Sequence, residues 1–302
     1  MRAPRVPLIA IGLLAAVPGL PARAQLPDLW PLEVLSTGSF HDTAIRESSG
    51  VARSRTAPGL LYTINDSHNP PVVFAFDSSG RPRGRWTIPV ARNRDWEALA
   101  TGPCPWTDCL FIGDIGDNRE REPFVTILRL REPAQLSAQE ASGGIQQVEL
   151  DSLVLRYPDG PHDAEAMWVD DSGAVHIVTK GRTGGVMLFR ARPDGFRQRQ
   201  PVVATLVQHL PIPDARQWGR GVTDAALAPD RKLVAVRTYT ELYLFPLLSS
   251  GRLGPPVGRC SLVGLEPQGE GVEWFDDRRL LLTSENGPGH TAGPIHLVRC
   301  GG

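Results

Sequence analysis

The sequence has no surplus of charge and very little lysine. It contains 32 basic and 33 acidic residues, which gives a formal net charge of −1 at pH 7. A nucleic-acid-binding protein would carry a basic excess or stripe, and a polyanion-binding tail would appear as a block of like charges. Because neither is present, we expect no nucleic-acid partner. Lys180 and Lys232 are the only lysines in the sequence, so the position of each is informative.

The sequence also lacks the signatures of several enzyme classes. It has no Gly-x-Ser-x-Gly element, which excludes a serine hydrolase of the α/β-hydrolase type. It has neither Gly-x-x-x-x-Gly-Lys-Ser/Thr nor Gly-x-Gly-x-x-Gly, the glycine-rich loops that hold nucleotide phosphates. A nucleotide-dependent enzyme is therefore not expected.

The apolar run at the N-terminus is too short to span a bilayer. Arg2 and Arg5 precede the apolar stretch Leu8–Leu20, and Ala22-Arg23-Ala24 has the small-x-small pattern of a cleavage site. We expect residues 1–24 to be a signal peptide cleaved near Ala24. Residues 25–302 would then be a single exported domain, periplasmic or extracellular, without a membrane span.

The four cysteines are consistent with an oxidising compartment. Four cysteines allow three pairings, and Cys104 and Cys109 enclose only four residues, so we pair them across a tight turn and pair Cys260 with Cys300. Buried free thiols are the alternative for an exported protein. A metal site built on these cysteines is disfavoured because the sequence has no Cys-x-x-Cys pair and no nearby histidine cluster.

Five similar segments recur along the chain. Each begins with a carboxylate and small residues, enters an apolar stretch, and is followed by further β-rich runs, four in each complete repeat. Four strands per repeat, joined by turns, are typical of β-propeller blades. The carboxylates that mark the repeats are Glu47, Glu97, Glu165, Asp224 and Glu270. The sequence therefore predicts an all-β propeller of four-stranded blades.

The spacing of the repeats predicts five blades. Successive carboxylates are 50, 68, 59 and 46 residues apart, and 32 residues follow Glu270, enough for two more strands but not for a fourth. The segment Leu32–Phe40 would supply the missing outer strand, so that an N-terminal strand closes the ring and removes an open sheet edge. Six blades are the alternative, if the 68-residue repeat contains a degenerate blade. Its excess, residues 132–147, is polar and small, which favours a loop.

Propeller geometry predicts where the polar residues meet. The innermost strand of each blade starts at one face and the second strand returns to it, so both sets of ends surround one mouth of the central channel. The candidate metal ligands at this mouth are Glu47, Glu97, Asp114, Glu165, Asp224 and Glu270. The candidate ligand-binding residues are Asn65, Asp66, Asp117, Asn118, Arg237, Tyr239 and Glu285.

A ring of carboxylates needs compensation, because two like charges about 6 Å apart repel by roughly 3 kcal/mol at an effective dielectric of about 20. Protonation, the internal cations Lys180 and Arg237, or a bound cation could supply it. Oxygen ligands suit Ca²⁺ or Mg²⁺. The structural alternative is that the carboxylates accept backbone N–H groups and lock neighbouring blades together. Trp96, Trp168 and Trp274 stand beside three of them and are expected as wedges between blades.

Several of these segments resemble a family of exported bacterial β-propeller proteins, loosely similar to esterase-like phytases and to TolB-like or NHL-like propellers. The segments are Glu47-Ser-Ser-Gly-Val, Asn65-Asp-Ser-His-Asn-Pro-Pro, Asp95-Trp-Glu-Ala-Leu, Gly113-Asp-Ile-Gly-Asp-Asn and Asp163-Ala-Glu-Ala-Met. The resemblance implies a secreted propeller with a Ca²⁺-binding acidic mouth. The phytases have six blades and a more basic phosphate cleft, whereas this mouth offers mainly Lys180 and Arg237 as cations.

Two functions fit this architecture, because propellers host both binding and catalysis. The first is a monomeric binding propeller whose mouth takes a small molecule, a glycan or a cell-envelope protein. The alternative is a metal-dependent hydrolase of a phosphoester, ester or lactone, with Glu97 or Glu165 as general base and Lys180 beside them. A carboxylate-pair glycosidase is a further possibility within the enzyme class.

Overall fold

The computed structural model describes residues 26–88, 91–133, 150–198, 200–216, 219–287 and 291–301. Within these ranges the chain forms 21 strands and one turn of 3-10 helix, Pro193–Arg197, with no α-helix. In the described part of the chain, no helix is long and apolar enough to cross a membrane. The expected signal peptide and residues 134–147 of the expected loop lie outside the described residues.

The strands form five antiparallel sheets of four strands each, and one sheet carries a short extra strand. In chain order the strands are β1 (Leu32–Ser39); β2 (Ser48–Arg53), β3 (Leu60–Asn65), β4 (Val72–Asp77) and β5 (Pro82–Thr87) in blade 1; β6 (Trp96–Cys104), β7 (Thr107–Asp114), β8 (Val125–Arg131) and β9 (Leu150–Arg156) in blade 2; β10 (Ala164–Val169), β11 (Val175–Thr179) and β12 (Met187–Ala191) in blade 3; β13 (Val202–Val203), which pairs in parallel with β9; β14 (Thr205–His209), the outer strand of blade 3; β15 (Val222–Leu227), β16 (Leu233–Thr238), β17 (Glu241–Pro246) and β18 (Gly258–Ser261) in blade 4; and β19 (Gly269–Trp274), β20 (Leu280–Ser284) and β21 (Pro294–Cys300) in blade 5. The predicted five-bladed propeller is confirmed.

The N-terminal strand closes the ring, as the spacing of the repeats predicted. Strand β1 pairs antiparallel with β21, from Leu32 opposite Cys300 to Ser39 opposite Pro294. It is thereby the outer strand of blade 5, and it covers an edge that would otherwise expose unpaired backbone groups.

Burial explains the two kinds of sequence pattern in the blades. Inner strand β10 is buried along its whole length, whereas outer strand β9 alternates between buried and exposed residues towards its end. Inner strands are buried on both faces, so beyond their polar first residues they are mostly apolar. Five hydrophobic clusters fill the gaps between consecutive blades. Trp96, Trp168 and Trp274 belong to three of them, which confirms their expected role as wedges.

Similar turn chemistry joins strands in different blades. Asp77 Oδ1 accepts the N–H of Ser79 at 3.0 Å, and Asp170 Oδ1 accepts the N–H of Ser172 at 2.9 Å. In each case a glycine with positive φ follows, since the turn requires a left-handed residue there.

Both predicted disulfides are present. Cys104–Cys109 closes the β6–β7 hairpin, and Cys260–Cys300 joins β18 of blade 4 to β21 of blade 5. No free cysteine remains in the described residues.

Candidate functional site

Every inner strand carries a register irregularity at the same place near its start. The displaced residues are Gly50, Glu97, Glu165, Thr223 and Glu270. A bulge changes the direction in which the side chain of the extra residue points. Glutamates therefore occupy equivalent bulge positions in blades 2, 3 and 5, while blades 1 and 4 carry glycine and threonine there.

A cavity of about 320 Å³ lies at this mouth of the channel. Half of the mouth residues predicted from the sequence line it, together with five residues that were not predicted. Its lining consists of Asp66, Glu97, Asn118, Glu165, Lys180, Arg182, Ala215, Gly219, Gly221, Tyr239, Gln268 and Glu270.

Lys180 is the cation at the centre of this mouth. Its Nζ forms a buried ion pair with Glu165 Oε1 and lies 5.6 Å from the centroid of the Tyr239 ring. Burial disfavours the charged lysine, but the carboxylates of Glu165, Asp163 and Glu97 outweigh burial and raise its pKa. Lys180 is therefore a permanent internal counterion.

Burial raises the pKa values of all three bulge glutamates. Burial raises the pKa of Glu165 to about 7, although Lys180 opposes the rise. Burial, followed by the charge of Glu165, raises the pKa values of Glu97 and Glu270 well above their ordinary value. The mouth therefore holds protons near neutral pH that an exposed carboxylate would release.

The hydrogen bonds of these glutamates come from side chains. Ser49 Oγ donates to Glu97 Oε2 at 2.9 Å, and Gln268 Nε2 donates to Glu270 Oε1 at 3.0 Å. Within the described residues, Glu270 Oε2 and Thr223 Oγ1 are buried without a hydrogen-bond partner. Of these two residues Glu270 lines the cavity, so its Oε2 has unused hydrogen-bonding capacity for a ligand.

Three carboxylates converge beside Lys180. Asp66, Asp95 and Glu97 each place an oxygen so that all three oxygens lie within 4.8 Å of one another. Burial, followed by the charges of Asp66 and Asp163, raises the pKa of Asp95 to about 6, and burial also raises the pKa of Asp66.

Asn93 holds the loop after β3 against the start of β6. Its Nδ2 donates to the carbonyl oxygens of Asn65 at 2.9 Å and Asp66 at 2.7 Å, and its Oδ1 accepts the Trp96 N–H at 3.0 Å. Asp114 Oδ1 accepts the Asp95 N–H at 2.9 Å. These bonds bring Asp66 of blade 1 next to two carboxylates of blade 2.

Gly116 leaves the space in which these carboxylates sit. A Cβ at this position would lie 2.5 Å from Asp95 Oδ2 and 2.8 Å from Glu97 Oε1. Any side chain there would push the two carboxylates away, which explains why the segment Asp114-Ile-Gly-Asp117 contains glycine.

The three oxygens of Asp66, Asp95 and Glu97 form an all-oxygen set, which fits Ca²⁺ or Mg²⁺ and disfavours soft metals.

Two further carboxylates stand at the rim of the mouth. Glu285 accepts from Gln268 Nε2 at 2.6 Å, and Glu47 accepts from Asn69 Nδ2 at 2.5 Å. Burial, followed by Asp66 and Glu47, raises the pKa of Glu285 to about 7.

Two other predicted ligand-binding residues, Asn65 and Asp117, lie outside the cavity and hold the loops around it. Asn65 Oδ1 accepts the N–H groups of Arg46 and Glu47, both at 3.1 Å. Asp117 Oδ2 accepts the N–H groups of Arg121 at 2.6 Å and Glu122 at 2.7 Å.

Asp224 and Arg237 join blades 4 and 5. Asp224 follows the bulge residue Thr223 and accepts the N–H groups of Ala225 and of Val272 in blade 5, both at 2.8 Å. Arg237 pairs with Glu266 at 2.7 Å and donates to the Gly271 carbonyl at 2.8 Å. Neither side chain lines the cavity. At these two positions the contacts therefore agree with the structural alternative, in which the residues lock neighbouring blades together.

Sequence reasoning missed Asp95, Asn93, Arg182 and Gln268. A signal for Asp95 exists: Asp95-x-Glu97 and Asp163-x-Glu165 place an aspartate two residues before the bulge glutamate in blades 2 and 3. The two aspartates differ in their contacts. Asp163 pairs with Arg182 and accepts the Asp117 N–H at 2.8 Å, whereas Asp95 faces the other carboxylates. Arg182 and Gln268 lie in loops that carry no repeat pattern.

Comparison with known proteins supports the fold. No protein-family model and no curated protein sequence matches the chain. Among solved structures, the PQQ-bound aldose sugar dehydrogenase of Streptomyces coelicolor superposes with a TM-score of 0.51 at 12% identity, over 91% of this chain and 99% of that one. A gluconolactonase of Xanthomonas campestris gives 0.47 at 14% identity, over 90% and 99%. The calcium-binding protein regucalcin of Agrobacterium tumefaciens gives 0.44 at 13% identity, over 92% and 98%.

At these identities the likeness shows that the chain is a β-propeller and says nothing about its activity. The expectation of a propeller relative is thereby confirmed at the level of the fold. The narrower resemblance to esterase-like phytases and to TolB-like or NHL-like propellers stays a prediction.

Proposed function

We propose that the protein binds a divalent cation, calcium by preference, in the channel mouth and holds a small-molecule ligand beside it. The convergence of Asp66, Asp95 and Glu97 carries this proposal. Calcium binds oxygens at about 2.3–2.6 Å, so three oxygens within 4.8 Å of one another can share one ion. Three carboxylates leave further coordination positions for ligand oxygens.

The ligand class follows from the size and polarity of the cavity. A volume of about 320 Å³ lies at the lower end of small-molecule sites, which favours a small molecule over a glycan chain or a cell-envelope protein. Lys180, Tyr239 and Glu270 line the wall around it. Glu270, with its unused Oε2, supplies a hydrogen-bond position for a polar group of the ligand.

Hydrolysis of an ester, lactone or phosphoester is the second candidate function. The pKa of Glu165 near 7 favours it, because a general base works best when its pKa lies close to the working pH. Calcium would supply a Lewis acid that polarises the scissile group. Glu165 would accept the proton of the attacking water, and Lys180 would stabilise the carboxylate before that transfer. Glu97, as a cation ligand, would position the ion.

Calcium titration of metal-stripped protein by calorimetry tests the cation site. We expect one ion per chain, and Asp95→Asn should lower the affinity by about tenfold or more because it removes one charged ligand. Asp276→Asn is the matched control: it makes the same charge change at an aspartate paired with Arg279, in the turn after β19. Absence of calcium binding, or equal losses in the two variants, would refute the site.

Turnover assays separate the two functions. We would assay γ-butyrolactone, 4-nitrophenyl acetate and 4-nitrophenyl phosphate with calcium and with chelator. Calcium-dependent hydrolysis that Glu165→Gln abolishes, with an inflection near pH 7, supports the hydrolase. Calcium binding without turnover of any of the three supports the binding function.

We also propose that the chain works outside the cytoplasm as a monomer. Its two disulfides support export, because such bonds persist in oxidising compartments. N-terminal sequencing of protein recovered from the periplasm or medium should begin at Gln25, and a start at Met1 would contradict signal-peptide cleavage.

A further inference from the structure

A second chamber opens from the mouth between blades 4 and 5. Its volume is about 410 Å³, and it shares Ala215, Gly219, Tyr239 and Gln268 with the mouth cavity. Its remaining lining belongs to the β16–β17 loop and to the segment between β18 and β19, namely Thr240, Leu262, Val263, Gly264, Glu266, Pro267 and Gly269. The two chambers are therefore adjacent, and Tyr239 belongs to the wall of both.

The two chambers differ in charge. The mouth is lined by Asp66, Glu97, Glu165, Lys180, Arg182 and Glu270. Among the described residues of the second chamber, Glu266 is the one charged side chain, and it is only 3% exposed and paired with Arg237. A ligand group in the second chamber thus meets no available charge.

Within the described part of the chain, Glu266 Oε1 is buried without a hydrogen-bond partner, but the other polar side chains of the second chamber, Gln268 and Thr240, are already engaged. The Gln268 amide donates to Glu270 at 3.0 Å and to Glu285 at 2.6 Å. Thr240 Oγ1 donates to the Gly219 carbonyl at 2.8 Å. A sugar ring would compete with these bonds for hydroxyl partners, whereas an alkyl chain would leave them intact.

Apolar surface is available at the rim of the second chamber. Val263 has an exposed fraction of 69%, the highest among the large hydrophobic side chains of the described residues. Pro267 and the Tyr239 ring lie in the same lining. Burial of these groups by a ligand would remove apolar surface from water.

We propose that the ligand is a lactone or ester with an alkyl side chain, its carbonyl end in the mouth and its chain in the second chamber. This inference rests on the proposed role of the mouth as a ligand site. The proposed cation and the hydrogen-bonding groups of the mouth would hold the carbonyl. Because the second chamber adjoins the mouth at Tyr239, the alkyl chain would extend from there towards Val263 and Pro267.

The test measures binding of γ-lactones with four, six, eight and ten carbons to calcium-loaded protein by calorimetry. Affinity should rise roughly three- to fourfold for each added methylene, the gain expected from its burial. D-glucono-1,5-lactone, which is polyhydroxylated, should bind more weakly than the eight-carbon lactone. Equal affinity along the series, no binding of any lactone, or tighter binding of the glucono-lactone would overturn the inference.

Two variants test whether the alkyl chain of the ligand lies in the second chamber. Val263→Asp places a charge at the rim and should lower affinity for the ten-carbon lactone about tenfold, because the carboxylate must be desolvated, while leaving γ-butyrolactone unaffected. Val257→Asp is the matched control: Val257 is 47% exposed and lies outside both chambers. Equal losses of affinity for the ten-carbon lactone in the two variants would show that the alkyl chain lies outside the second chamber.

The calcium titration keeps the two proposals separable. Calcium binding without a chain-length effect rejects the alkyl-chain inference and leaves the cation site standing. A chain-length effect that does not depend on calcium rejects the cation as ligand holder and leaves the second chamber standing.

Discussion

Lys180 and Glu165 form a buried ion pair in the channel mouth, with 9% and 2% of their surfaces exposed. Around it lie Glu97, Glu270 and Asp66, which lack a cation of their own among the described ion pairs. One lysine thus serves several carboxylates. We expect protons and the proposed cation to compete for the remaining negative charge, and the pH and calcium dependence of stability tests this competition.

Replacement of Lys180 by methionine should destabilise the metal-free protein. Loss of one partner of a buried pair costs about 3–5 kcal/mol, and protonation of Glu165 should reduce this cost. The destabilisation should therefore be larger at pH 8 than at pH 6, and calcium should recover part of it. Thermal unfolding at both pH values, with calcium and with chelator, measures the effect.

Lys232→Met is the control for this variant. Lys232 is the other lysine of the sequence, and its side chain is 79% exposed in its pair with Asp230. Its loss should leave the melting temperature nearly unchanged. If Lys180→Met were equally silent, Lys180 would not be the counterion of the mouth.

The stability of the metal-free protein should fall as pH rises from about 4 to about 7. The pKa of Glu165 is raised to about 7 and that of Asp95 to about 6, so the folded protein holds protons that the unfolded chain has already released. Under such conditions the free energy of unfolding decreases with pH. The contribution of Glu165 and Asp95 is lost as pH rises through about 7, and Glu97 and Glu270, whose pKa values burial raises well above the ordinary value, extend the decline.

Calcium should reduce this decline, because it replaces the protons of the mouth. Part of it should persist with calcium, since burial also raises the pKa of Glu273 to about 7, and that residue lies near the opposite end of the channel. Thermal unfolding from pH 5 to pH 8 tests this. Stability that rises with pH in chelator would contradict the protonated mouth.

Sequence spacing was enough to predict the blades, because the strand–turn rhythm and the distances between carboxylates are properties of single blades. Closure by β1 could be predicted because the last repeat lacked an outer strand. The bulges could not be located, since one extra residue in a strand leaves no mark on hydropathy. For that reason Glu47 and Asp224 seemed equivalent to Glu97, although Gly50 and Thr223 occupy the bulge positions in their blades.

Two of the three carboxylates of the proposed cation site, Asp66 and Glu97, could be predicted from the sequence, and Asp95 could not. Glu97 and Asp66 lie next to predicted strands, whereas Asp95 acquires its place through Asn93, Asp114 and the free space at Gly116. Such contacts between blades depend on three-dimensional packing. A local pattern cannot distinguish Asp95, which faces the carboxylates, from Asp163, which pairs with Arg182.

Removal of β1 should cause aggregation or failure to fold. Without Leu32–Ser39 the backbone of β21 loses its partner and blade 5 presents an open edge. A chain that begins at Leu26 is the control and should remain monomeric in size-exclusion chromatography. A deletion variant that stays soluble and unfolds cooperatively at the same temperature would contradict closure by β1.

The two disulfides should differ in their contribution to stability. Cys260–Cys300 spans 40 residues and Cys104–Cys109 spans 5, so the loop-entropy model gives about 4 kcal/mol for the first and about 2 kcal/mol for the second. Urea unfolding of the two paired Cys→Ser variants measures both. A larger loss from the Cys104–Cys109 pair would show that loop closure does not dominate.

The most direct test compares Glu97→Gln with Asp224→Asn in thermal unfolding with calcium and with chelator. Asp224 accepts two backbone N–H groups, so its variant should lose about 1–3 kcal/mol in both conditions. Glutamine can still accept from Ser49, and like a protonated Glu97 it carries no charge that Glu165 and Asp66 would repel. Glu97→Gln should therefore keep or gain stability in chelator and lose the stabilisation by calcium. If both variants are destabilised equally in both conditions, the acidic mouth is an inter-blade lock and the proposed cation site is wrong.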